Sequence, residues 1–99
     1  MKHTTEEVIC AAIWFQDGIR RQHMPTNIKD GLVVTGYRHC QCYSIVAALS
    51  PKFRSGFTEI QGFLTSYGLF VNRNQAAEIA RKAGQISSHN GELFSEDLY

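Results

Sequence analysis

The sequence predicts a small α+β domain, with two helices against an antiparallel sheet. Three observations point there. Residues 61–86 spell a strand, a tight turn, a second short strand and a helix stopped at both ends by local chemistry. Residues 7–15 and 31–37 are β-rich runs bounded by turn residues. Between them and residue 58, apolar side chains recur at helical spacing. At 99 residues the chain reads as a single domain, 1–99, too short for a second core. Size scaling gives it burial of roughly 65% of its unfolded surface, so self-association into a homodimer or larger homo-oligomer would supplement a thin core.

The elements follow in order. Residues 7–15 carry Val8, Ile9, Ile13, Trp14 and Phe15, and Gln16-Asp17-Gly18 is a turn signal. Residues 19–22 read as a returning hairpin arm that exposes Arg20 and Arg21. Pro25 and Asn27 make 24–30 a loop, and GLVVTGY, 31–37, is the next strand. Cys42, Ile45, Val46 and Leu49 share one helical face, giving a helix over 39–49. Ser50-Pro51 ends it, because proline disfavours helical geometry in the residue before it. A basic loop, 52–57, leads to a strand over 58–64, the turn Ser66-Tyr67-Gly68 and a strand over 69–71. Asn72 then caps a helix over 73–83, with Gln75 in position to reach back to the cap. Ala76, Ile79, Ala80 and Ala83 line one face of that helix, and Gly84 is the left-handed stop. Residues 85–92 are a polar loop. The tail, 93–99, ends in apolar residues that predict docking and not fraying. The expected order is β-β-β-α-β-β-α.

Composition excludes several classes. Apolar residues make up 43% and charged residues 19%, unlike a disordered chain. The longest apolar run, 8–15, is far too short to span a membrane. Lys2 and His3 are followed by Thr-Thr-Glu-Glu and not by a leader's apolar core, so the expected compartment is the cytoplasm. Net charge is only +1, yet residues 20–82 hold nine Lys or Arg against Asp30, Glu59 and Glu78. A basic middle suits an anionic ligand, although such charges also serve as a solvated surface. The three cysteines, Cys10, Cys40 and Cys42, argue against a disulfide framework, and Cys10 reads as a small buried residue.

Few residues carry recognisable chemistry. His39, Cys40 and Cys42 are zinc-type ligands, but consecutive helical positions aim them about 100° apart per residue, so helix packing is the better account. A Cys–His nucleophile lacks an orienting third group, and no phosphate-loop or dinucleotide fingerprint is present. No catalytic residue, metal ligand or cofactor is therefore assigned. Arg38, at a strand-to-helix junction beside His39, presents either a fork to a diphosphate or an ion pair to an acid. Phe63 and Phe70 flank the 66–68 turn, as core residues or as a stacking surface for a base. Asn72 is first a cap. Arg73 sits at the positive end of a helix dipole, where a cation is unfavourable by a few tenths of a kcal/mol. An anion held there would resolve that misfit.

The string GFLTSYGLFVNRNQAAEIARKAGQ, together with GYRHC (36–40) and LFSEDLY (93–99), resembles the first type of phage anti-Thoeris protein. These "sponges" bind the cyclic ADP-ribose signal of TIR enzymes without cleaving it. The resemblance spans roughly residues 8–99. It implies a non-enzymatic binding protein in the cytoplasm of an infected bacterium, working as a homo-oligomer with pockets near subunit interfaces. It also implies Arg38 and Arg73 on the phosphates, Phe63 or Phe70 on adenine, and Asn72 and His39 as polar contacts, with cyclic oligonucleotides as a further ligand class. A protein–protein inhibitor with no small ligand stays open, and two further rivals rest on particular residues. One is a hydrolase using His23, His39 or His89. The other, less favoured, is a nucleic-acid module using Arg20, Arg21, Lys52 and Arg54.

Overall fold

The computed structural model describes residues 5–49, 58–86, 91–94 and 97–98. The elements are β1 (Val8–Gln16), β2 (Leu32–Gly36), α1 (His39–Leu49), β3 (Thr58–Thr65), β4 (Phe70–Asn72) and α2 (Arg73–Lys82). They form a four-stranded sheet in the order β2-β1-β3-β4, antiparallel at every pairing. The α+β expectation holds. The expected hairpin arm at 19–22 does not form a strand: the Asp17 carboxylate accepts from the Ile19 amide at 3.0 Å and binds Arg21, curling the chain away from β1. Ile19 O reaches the next strand's approach, accepting from Gly31 N at 2.8 Å. The predicted basic loop at 52–57, with Lys52 and Arg54, and His89 lie outside the described residues.

Alternation along the strands splits the sheet into two faces. Ala11, Ile13, Phe15, Phe63 and Val71 pack with Cys42 and Val46 of α1 and Ala76, Ala77 and Ala80 of α2 in the main core. The opposite face carries Ala12, Val33 and Phe70, with Trp14, Met24, Ile28 and Ile60 against them. Both helices thus cover one face, and the 17–31 connection crosses the other. Helix α2 buries Ala76, Ala77 and Ala80, and Ile79 of the predicted stripe is only part-buried. No described helix is long and apolar enough to cross a membrane.

Side-chain amides close the weak places. Edge strand β4 has three residues, and Asn27 grips its outer side: Nδ2 donates to Phe70 O at 2.6 Å and Oδ1 accepts from Phe70 N at 2.9 Å. An edge paired in this way is not a template for another strand. Gln85 repeats the device at Val8, accepting from its N–H and donating to its carbonyl, both at 2.8 Å. A register shift between Val8 and Cys10 leaves those groups needing partners. The α2 ends follow the sequence: Asn72 Oδ1 accepts from Gln75 N at 2.8 Å, and Gln75 Oε1 accepts from Asn72 N at 3.0 Å. At the other end Gln85 N donates to Ala80 O and Gly84 N to Arg81 O, with Gly84 at φ 77°, a Schellman stop.

Candidate functional site

Sheet register decides where the helices begin. Strand β2 ends at Gly36, opposite Ala11, and Ala11 lies opposite Phe63. Strand β4 ends at Asn72, opposite Gly62. The starts of α1 and α2 therefore meet at one level, above the middle of β3. Each start presents N–H groups without intrahelical acceptors and the positive end of a helix dipole.

His39 and Arg73 face each other across this junction. His39 is buried, and its Nε2 lies 2.7 Å from Gly62 O. A carbonyl only accepts, so Nε2 carries the proton and Nδ1 is left as an acceptor. Arg73 Nη2 occupies that position at 3.4 Å and also donates to Gln61 Oε1. Its Nη1 donates to Leu93 O at 2.7 Å, while Leu93 N donates to Arg73 O at 3.0 Å. The C-terminal segment is thus clipped to the first turn of α2. Leu93 is fully buried, as the apolar tail predicted, and the half-exposed Phe94 ring lies with its centroid 4.6 Å from the guanidinium carbon. The polar chain continues outward: Gln61 Nε2 donates to Tyr43 OH at 2.7 Å, and that hydroxyl donates to Glu59.

The six sequence-predicted residues do not all gather here. His39, Phe63 and Arg73 do: Phe63 meets His39 edge-on at 5.0 Å. Phe63 is also wholly buried in the main core, so it has no ring face for a base, which corrects that half of the stacking expectation. Phe70 projects to the other face, at 6.0 Å from Trp14, where it and Asn72 line a recess of about 200 Å³ with Trp14, Ile60 and Gln75. Period-two alternation is the reason: residues 70 and 63 fall on opposite faces. Asn72 spends its side-chain oxygen on the cap. Arg38 precedes α1, where its N–H donates to Gln41 Oε1 at 3.0 Å and its guanidinium lies 5.6 Å from the Tyr37 ring centre. His39, Cys40 and Cys42 diverge as the helical spacing required: His39 turns to β3, Cys40 is exposed and Cys42 is buried with its thiol toward Ala11 O. Burial pushes the Cys42 pKa up to about 11. Cys10 is half-buried, not wholly buried as expected.

Sequence reading missed Tyr43, Glu59, Gln61 and Phe94. Glu59 and Gln61 had a signal: they alternate with Phe63, so they share its helix-covered face. Phe94 had none beyond its place in an apolar tail.

Fold and site together define a small antiparallel α+β domain whose polar side chains collect where two helices begin. The chain belongs to the Phage T4 y16D protein family, whose model matches residues 7–99. Membership is consistent with a phage-encoded protein. No curated protein and no solved structure is similar enough to the chain to match.

Proposed function

We propose that this protein binds and sequesters a cyclic ADP-ribose-type nucleotide signal without cleaving it. One observation carries the reading: two helix N-termini converge on Arg73 and His39 beneath the half-exposed Phe94 ring. Phosphates suit the helix starts and the Arg38 and Arg73 guanidinium groups. A base suits the outer face of Phe94, which replaces the buried Phe63 as the stacking ring. The resemblance of the 62–85 string and the 93–99 tail to anti-Thoeris sponges supports the same ligand. Sequestration works by mass action, so the protein must be made in amounts that match the signal in the infected cell. As in that resemblance, the working form is a homo-oligomer in the host cytoplasm.

Calorimetry with cyclic ADP-ribose isomers, followed by heat release and mass spectrometry of the ligand, tests this. Sub-micromolar binding with the ligand recovered intact is the expected result. Phe94→Ala should weaken binding by about tenfold, in the range of one stacking contact. Arg73→Ala should weaken it more, with circular dichroism confirming that the variant folds. Absence of binding to every isomer, or a smaller product accumulating, ends the reading.

A further inference from the structure

The 17–31 connection makes a recess that the helix-start site does not use. It is a cleft of about 610 Å³ lined by Arg20, Arg21, Thr26, Ile28, Lys29 and Asp30, together with Gly18. Clefts of roughly 300–1,000 Å³ hold small molecules. The walls are built, not loose. Trp14 Nε1 donates to Asp30 O at 2.9 Å, Gly31 N to Ile19 O at 2.8 Å and Ile28 N to Pro25 O at 2.9 Å. Arg21 is fixed by a two-pronged pair with Asp17, Nη1 at 3.0 Å and Nη2 at 2.8 Å, and the Asp17 carboxylate is only 2% exposed. The Asp17 pair uses one edge of that guanidinium.

Arg20 and Lys29 differ from Arg21. Among the described residues neither makes an ion pair or side-chain hydrogen bond, although both line the same cleft. With Arg21 offset by Asp17, the cleft carries Arg20 and Lys29 against the single carboxylate of Asp30, an excess of positive charge that an anion would offset. Ile28 supplies an apolar wall from the sheet side, and Asp30 supplies an acceptor for a hydroxyl. We propose that this cleft is a separate binding site for a small diphosphate-bearing molecule, with Arg20 and Lys29 on the phosphates and Asp30 on a sugar hydroxyl. The proposal stands apart from the nucleotide reading, because it shares no residue with the helix-start cluster.

The test is amide-resolved NMR titration of the full chain with inorganic pyrophosphate, repeated with Arg20→Gln/Lys29→Gln and with Arg73→Ala. Saturable shifts confined to residues 18–30 are expected. They should weaken by about tenfold or more in the double variant, as for the loss of charge-assisted contacts, and persist in Arg73→Ala. The surface positions of Arg20 and Lys29 leave folding intact. Three results overturn the site: no saturation by about 10 mM pyrophosphate, shifts centred on 72–75, or shifts undiminished in the double variant. A parallel titration with single-stranded oligothymidylate separates a nucleic-acid surface. Affinity that exceeds that of pyrophosphate and grows with strand length would replace the small-molecule site with a strand-binding one.

Discussion

Gly62→Ala is the perturbation that tests the architecture most directly, since Gly62 sits beneath the helix-start site and beside edge strand β4. A Cβ there would lie 2.1 Å from Val71 O and 2.8 Å from the Phe70 ring tip. Carbon and oxygen need more than 3 Å, so β4 must retreat by about 1 Å or the ring must swing out. Neither move is small. Phe70 is gripped on its outer side by Asn27, and Asn72, two residues on, is the cap of α2. Overpacking against fixed backbone costs roughly 2–4 kcal/mol. For a chain of this length that is a fall in Tm of roughly 10–25 °C. Gly68→Ala is the control: nothing lies within 4 Å of its added Cβ, but its φ is 75°. Left-handed strain alone costs about 1–2 kcal/mol. Thermal melts followed by circular dichroism compare the two variants. A Gly62→Ala protein melting within about 3 °C of the parent would refute the close approach of β3 and β4 at this point.

Three further outcomes are expected. Asn27→Ala removes both bonds to the β4 edge and should destabilise by about 1–3 kcal/mol in urea, with amide exchange rising first at Phe70. The Arg21 guanidinium beside Asp17 holds its carboxyl below the usual range. A lowered folded pKa contributes stability that is present above the unfolded value, about 3.9, and is lost as pH falls through the folded one. Asp17→Asn should therefore differ from the parent in urea midpoint at pH 7 and converge with it in strong acid. In thiol labelling at pH 8, exposed Cys40 should react first. Cys42, buried and with its pKa raised to about 11, should wait for unfolding. Equal rates would contradict its place in the core.

Much of this molecule is legible along the chain. The caps of α2 were readable because a capping box and a glycine stop are contacts between residues three to five apart. The α+β class was readable because periods of two and 3.6 distinguish strands from helices within a few residues. Leu93 docking followed from an apolar tail that water would otherwise surround. The tertiary structure decided the rest. Residues 19–22 carry no mark that Asp17 would bind Arg21 and curl them off the sheet. Phe63 and Phe70 look equivalent in sequence, yet strand parity turns one into the core and the other to the opposite face. The meeting of His39, Gln61 and Arg73 depends on register between β2, β1, β3 and β4, which brings residues up to 34 positions apart to one level, and the bonds between Arg73 and Leu93 then add Phe94. Local sequence fixes what each turn and cap does by short-range bonding. Which side chains share a site is set by long-range pairing, whose energy no single segment contains.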